Sequence, residues 1–226
     1  MSFNGNDQSS MTAALSGDRA MRTAQRRGAA RRAGRDRQTP VTRSTLVADF
    51  LALCELDPAV DALRACQEPA GFLVGGEVIE HVPDFEVTRD GVATLVDIVP
   101  ETDLARHPLR STLVEGALSL DGHAFSIETA ATIRAEPRFT TVRLISACRR
   151  TPVSAGDRVR ILHQLDECGT MRLVDCASAA FNTSDGVAAV LALACEGLIV
   201  VDISRPILPE TPVKRRKLPY QDPFGF

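Results

Sequence analysis

The chain has 226 residues, 44% of them hydrophobic and 4% aromatic with no Trp, and a formal net charge of −3. That suffices for one large or two small domains whose core is built from Leu, Val, Ile and Ala, and no apolar run approaches the roughly 18 residues that a membrane-spanning helix needs. The opening MSFNGNDQSS lacks the charged-then-apolar order of a signal peptide, and Cys54, Cys66, Cys148, Cys168, Cys176 and Cys195 are scattered without a C-x-x-C, so the expectation is a cytoplasmic protein with reduced thiols.

Charge is distributed unevenly. From Asp18 to Arg43 nine arginines stand against two acids, Asp18 and Asp36. Residues 1–42 are polar, rich in Arg, Gly, Ser and Ala and poor in large apolar side chains, which predicts a disordered basic arm. Its arginines, Arg26, Arg27, Arg31 and Arg32 among them, suit a phosphate backbone; a solvated tail without a role is the alternative. Order is expected to begin at Ser44, a helix N-cap before STLVADFLALCEL, where Leu46, Val47, Phe50, Leu51, Leu53 and Cys54 recur at helical spacing. Asp57-Pro58 is read as the start of a second short helix. Gly71, Gly75 and Gly76 then punctuate β-type runs at about 71–74 and 77–82.

Asp90-Gly91 is a two-residue hairpin signal between FEVTR and VATLVDIV. That turn sets Arg89 opposite Val92, Phe85 opposite Val96 and Asp84 opposite Asp97. Period two puts Phe85, Val87, Val96 and Ile98 on an apolar face, and Asp84, Glu86, Leu95, Asp97 and Val99 on the other. Directly opposed aspartates have Cβ atoms about 5 Å apart and repel. A divalent cation, a shared proton, a nearby arginine or exposure to water would offset that repulsion. His81, His107, His123 and His163 read as surface or packing histidines; a strand through His81 and Asp84 would put those two on opposite faces.

A helix is expected at about 109–121, a strand at 124–127 and a helical piece at 129–135. Arg134, Arg138, Arg143, Arg149 and Arg150 form a basic segment without matching acids, suited to a nucleic-acid backbone or to a solvated face. Composition shifts at Thr151-Pro152. A helix from Ser154 stops at Gly169, a short strand and small helix follow, and SDGVAAVLALACEG is an Asp/Ser-capped helix stopped by Gly197 before a β-branched strand. Three helices and a strand in this order suit a winged-helix module, whose third helix normally reads DNA. Here that helix, Asp185 to Cys195, contains no Arg, Lys, Asn or Gln, so it is expected to bind protein or pack on the preceding domain. The tail RPILPETPVKRRKLPYQDPFGF is Pro-rich, extended and basic.

The order STLVADFLALCELDPAV, EP, VPDFEVTRDG…LVDIV and ALACEGLIVVDISRPILPETPV resembles the TnsA-type endonuclease subunit of heteromeric transposases. It spans about residues 43–214, and Pro83 to Val99 is its most specific part. The resemblance implies an α/β fold: a restriction-endonuclease-like domain of the PD-(D/E)xK type at 43–150, its mixed sheet flanked by helices, then a small winged-helix-like α+β domain at 151–208 and a basic tail at 209–226. It implies cutting of DNA at transposon ends with Mg²⁺, beside an integrase-type transposase and an ATP-dependent regulator. By the same resemblance Asp84 and Asp97 match the two metal-binding, catalytic carboxylates. Val99 stands where the family has its lysine and Val47 where it has a helical glutamate. The chain's two lysines, Lys214 and Lys217, lie in the tail. Asp49, Glu55, Glu86 and Glu101 are carboxylates without the family spacing. Three readings follow: a DNA- and partner-binding subunit with a weak or inactive site, with Arg149 and Arg150 joining the arm on DNA; an active Mg²⁺- or Mn²⁺-dependent endonuclease with a different third group; or a DNA-binding regulator.

Overall fold

The structure, a computed structural model, describes residues 45–104 and 118–216. The arginines Arg26, Arg27, Arg31 and Arg32, the cap expected at Ser44, His107 and the part of the expected 109–121 helix before Leu118 lie outside those residues. Helix α1, Thr45–Leu56, buries Leu46, Phe50, Leu53 and Cys54. These positions recur at three- and four-residue spacing, so one stripe of the helix faces inward. Beneath it lies a four-stranded mixed sheet in the order β1-β4-β5-β6, formed by Val60–Ala65, Phe85–Arg89, Val92–Ile98 and Ala124–Glu128. The first three strands are antiparallel and β6 runs parallel to β5. Phe85, Val87, Val96 and Ile98 face α1 in the main core, and the Phe50 and Phe85 rings pack 5.7 Å apart.

The opposite face of the sheet is also covered. Strands β2, Ala70–Val74, and β3, Glu77–His81, form a separate two-stranded hairpin. Its Phe72 packs with Leu95 and Phe125 in a second, smaller cluster. Thus Leu95, read from period two as lying on the polar side of the hairpin, is buried by a second layer of chain. A short helix α2, Glu101–Leu104, follows β5, and α3, Ala130–Ile133, follows β6.

Two expectations fail. Asp57-Pro58 opens a turn, not a helix: Asp57 Oδ1 accepts the Ala59 N–H at 3.0 Å and the Asp57 carbonyl accepts the Val60 N–H at 3.2 Å. A side-chain bond of this kind is an Asx turn, and the chain then enters β1, which pairs along β4. Likewise Leu118–Asp121 is not the end of a helix. Leu118 and Ser119 make isolated antiparallel bridges to Ala124 and Phe72, and the chain reverses at Gly122 with φ +80°. Asp121-Gly122 is a turn dipeptide, and here it overrides the helical spacing.

Residues expected only as a basic segment form helix α4, Arg138–Ala147, ending in a 3₁₀ turn at Cys148–Arg150. Helix α5, Ala155–Cys168, starts at Ser154, whose Oγ accepts the Asp157 N–H, and ends at Gly169 with φ +75°. Strand β7, Thr170–Arg172, leads into α6, Leu173–Ala177. Then come α7, Gly186–Cys195, and strands β8, Ile199–Val201, and β9, Pro212–Arg215. Strand β9, from the stretch expected as an extended tail, is the centre of an antiparallel sheet β7-β9-β8.

One hydrophobic core holds side chains from both halves, from Leu46 and Phe85 to Ile161, Leu191 and Val213. All described residues belong to one compact unit, Pro40–Phe226. Every residue of α7 from Ala189 to Cys195 is buried, and Cys195 Sγ donates to the Ile145 carbonyl of α4 at 3.2 Å. Helix α7 is therefore spent on internal packing. Among the described residues no helix is long and apolar enough to cross a membrane.

Candidate functional site

The hairpin that carries the two aspartates forms in the expected register. Arg89 pairs with Val92 and Phe85 with Val96, and Asp90 and Gly91 take φ of +48° and +80°. Both values are left-handed, as a two-residue turn matched to strand twist requires. The turn is held from outside: the Asp90 N–H donates to the Ala59 carbonyl at 3.0 Å, and the Gly91 N–H to Asp61 Oδ2 at 2.8 Å.

At the far end of the hairpin Asp84 and Asp97 meet. Asp84 Oδ2 accepts the Ile98 N–H at 2.9 Å, and Asp97 Oδ1 accepts the Asp84 N–H at 3.2 Å. Each carboxylate therefore bonds the backbone of the other strand. Asp97 is 0% exposed, whereas Asp84 is half-buried. Asp97 Oδ2 lies 2.8 Å from His81 Nε2, and the His81 ring is flanked by Phe125 at 5.7 Å and Phe72 at 6.5 Å between centroids. Charge-assisted bonds to a carboxylate are among the stronger ones. Backbone N–H groups and the histidine are thus what offset two carboxylates at close range. Histidine enters because β3 and β5 are brought together by folding; His81 and Asp84 do not share a strand. No local sequence signal joins residues 81 and 97, so the dyad was not foreseen.

Cys66 completes this corner. Its N–H donates to the Asp84 carbonyl at 3.1 Å. Burial pushes its thiol up to about 11, the negative charges of Glu86, Asp84 and Asp97 add to the rise, and Arg64 opposes it. A thiol held in that state is a poor nucleophile near neutral pH.

The corner does not fit a magnesium ion as arranged. Magnesium prefers six oxygen ligands and retains several waters. Asp97 has no exposed surface to meet those waters, and three of the four carboxylate oxygens already face protein partners. Val99 is also 0% exposed, and Val47 packs against the main core. Among the described residues no group of three or more His, Cys, Asp or Glu side chains is placed to hold a metal ion. The four other carboxylates are committed elsewhere. Asp49 pairs with Arg134 at 2.8 Å, Glu55 with Arg149 at 2.6 Å and Glu86 with Arg64 at 2.5 Å, and Glu101 Oε1 accepts the Ala131 N–H at 2.7 Å.

No protein-family model and no curated protein matches this chain.

The basic segment is less free than its sequence suggests. Arg149 forms a two-pronged bond to Glu55 at 2.8 and 2.6 Å. Arg134 is held by Asp49, and Arg138 lies 3.8 Å from Asp57. The matching acids, Asp49, Glu55 and Asp57, come from α1 and the turn after it, so the expectation of an unmatched run is corrected. Arg143 sits over the Phe139 ring at 5.7 Å. Arg150 is exposed and, among the described residues, its side chain makes no hydrogen bond or ion pair.

Proposed function

We propose that this protein is a TnsA-like subunit of a DNA transposition system that binds DNA and partner proteins through a nuclease-like scaffold whose cutting site is degenerate. The observation that carries the reading is the corner at the end of the β4–β5 hairpin. Two aspartates stand at the positions of the family's carboxylates, yet they are engaged with backbone N–H groups and His81. The positions of the family's glutamate and lysine are valines in or against the core. The mixed sheet, with α1 on one face, agrees with a restriction-endonuclease-like domain. The order α5-β7-α6-α7-β8-β9 agrees with a winged-helix-like module. Because α7 is buried, that module serves as a structural and protein-binding element, and DNA is met by arginine side chains on the backbone. Arg150 and the arm residues Arg26, Arg27, Arg31 and Arg32 supply those contacts, while Arg149 is held by Glu55. The partners are an integrase-type transposase and an ATP-dependent regulator.

Catalysis of phosphodiester cleavage by metal-bound carboxylates needs an ion to polarise the phosphate and ready the attacking water, and a cation to balance charge at the phosphate. Each factor of ten lost in rate corresponds to about 1.4 kcal/mol, so missing both groups removes activity by orders of magnitude. The test is supercoiled plasmid incubated with the full chain, and with Asp84→Ala, in Mg²⁺ and in Mn²⁺, beside a salt-titrated DNA-binding assay. The expected result is no nicking by either protein and binding that weakens steeply as salt rises. Nicking by the native chain that disappears in Asp84→Ala would instead establish an active endonuclease. Absence of DNA binding at low salt would overturn the reading altogether.

A further inference from the structure

The outer face of the β2–β3 hairpin is apolar, exposed and bordered by acids. In the observed register Leu73 lies opposite Val78 and Gly71 opposite Glu80. Directly opposed residues of an antiparallel pair share a face, and Phe72, one residue along, points to the other side. The Phe72–Ser119 bridge extends the sheet by one short segment. Since Ser119 and Phe72 are buried together, Leu118 and Leu120 fall on the side of Leu73 and Val78. Gly71 makes room there: a Cβ at that position would meet Leu120 Cδ1 at 2.8 Å and Val78 Cγ1 at 3.4 Å. Leu73, Val78, Leu118 and Leu120 are 54%, 57%, 61% and 62% exposed. Four large aliphatic side chains gathered on one outward face are unlike the singly scattered apolar residues of an ordinary surface.

Charge says what covers this face. Glu80 shares it and Asp121, in the turn after Leu120, stands at its edge, and both are exposed. Neither makes an ion pair or a side-chain hydrogen bond among the described residues. The stretches 65–88 and 118–133 contain no lysine or arginine at all. A second copy of the chain would set acid against acid across a two-fold axis, and phosphate groups of nucleic acid or anionic lipid would be repelled for the same reason. We propose that this face docks a basic, apolar segment of a partner protein, one that presents alternating aliphatic and Lys or Arg side chains. Aliphatic side chains supply the buried area, and the acids set the sign of the partner and steer its approach.

This inference rests on the surface alone and is independent of whether the chain binds or cuts DNA. The test uses the full chain and a fluorescent synthetic peptide of about twelve residues alternating lysine and valine, long enough for two strands' worth of contact. A peptide alternating glutamate and valine is the control. Two surface variants, Leu73→Ser with Val78→Ser and Glu80→Lys with Asp121→Lys, are compared after circular dichroism shows an unchanged melting curve. Anisotropy is expected to show binding of the lysine peptide that weakens about tenfold or more in either variant and falls with salt. In the charge-reversed variant, preference is expected to shift toward the glutamate peptide. Equal binding of both peptides by the native chain, or equal affinity in native chain and variants, overturns the proposal. Sedimentation showing a native dimer that Leu73→Ser with Val78→Ser dissociates would assign the face to a second copy and overturn it equally.

Discussion

Asp97 shows how one buried charge is accommodated. A carboxylate with no exposed surface needs its lone pairs filled, and the Asp84 N–H and His81 fill them at 3.2 and 2.8 Å. Removing one partner of a buried charged group leaves a desolvated atom behind, which costs more than the bond itself is worth. His81→Ala is therefore expected to lower stability in urea by about 2–3 kcal/mol. Asp97→Asn should cost less, because an amide keeps the acceptor for the Asp84 N–H. Combined, the two changes should cost less than their sum by about 1 kcal/mol or more, the signature of contacting residues. Strict additivity would mean that His81 and Asp97 do not act together. The aspartate pair was legible from the Asp90-Gly91 turn, because a tight turn fixes register and register fixes which residues oppose. His81 was not, because its partner lies across two strand connections, and period two speaks only within one strand. Nor could the sequence say that Leu95 and Asp97 point into a second layer, since the β2–β3 hairpin that covers them is folded back from elsewhere.

Helix starts carry their own chemistry. At the N-terminus of α5 the buried Asp157 carboxylate receives N–H groups of Phe181 at 2.8 Å and Asn182 at 3.2 Å, the Ser154 hydroxyl at 2.9 Å, and the Arg160 guanidinium. Burial alone would raise its pKa, but the bonds from Ser154, Arg160, Asn182 and Phe181 outweigh it and hold the carboxyl down at about 2. A carboxyl whose folded pKa lies below its unfolded value takes up protons preferentially on unfolding. Its contribution is thus complete above the unfolded value near 3.8 and is lost as pH falls toward about 2. Denaturant midpoints measured from pH 5 to about 2 should drop for the native chain, and the drop should be shallower in Asp157→Asn; parallel curves would refute the assignment. A second prediction concerns the approach of α6 to α7. A Cβ on Gly186 would stand 2.4 Å from the Ala177 carbonyl oxygen, a backbone atom that cannot rotate away. Gly186→Ala should destabilise by about 1–3 kcal/mol, as overpacking does, although alanine is the better helix former; an unchanged or raised melting temperature would show that α6 moves freely. Elements bounded by such local signals were legible: Ser154 and Gly169 around α5, Asp185 and Gly197 around α7, and Asp90-Gly91 in the hairpin. Those decided by pairing were not. Strand β1 exists because β4 offers it an edge, and the Asp57-Pro58 dipeptide serves a turn as readily as a helix start.

At the scale of the whole molecule, opposite charges are sorted onto different elements. Arginines cluster from Arg134, at the end of α3, through α4 to Arg150 in the 3₁₀ turn, while the described residues on the β2–β3 side are acidic without a balancing cation. On the proposed reading, DNA is bound by those arginines that remain uncommitted after folding, and sequence position alone does not identify them. Arg150 is free among the described residues, whereas Arg149 is locked on Glu55 by two bonds. Each phosphate neutralised contributes about −0.9 to the slope of log affinity against log salt on duplex DNA. Arg150→Ala should flatten that slope by about one such step, and Arg149→Ala should leave it close to the native value. Glu55→Gln should act in the opposite sense, because it releases the Arg149 guanidinium and steepens the slope by about one step. Replacing Arg26, Arg27, Arg31 and Arg32 together by alanine should flatten it by up to about 3.6, four steps of 0.9. The decisive comparison is between adjacent residues of identical type. If Arg149→Ala and Arg150→Ala change the slope equally, the Glu55 pair does not withhold Arg149 from DNA. If neither changes it, the α4 side of the molecule does not meet the phosphate backbone, and the arm alone would have to account for binding.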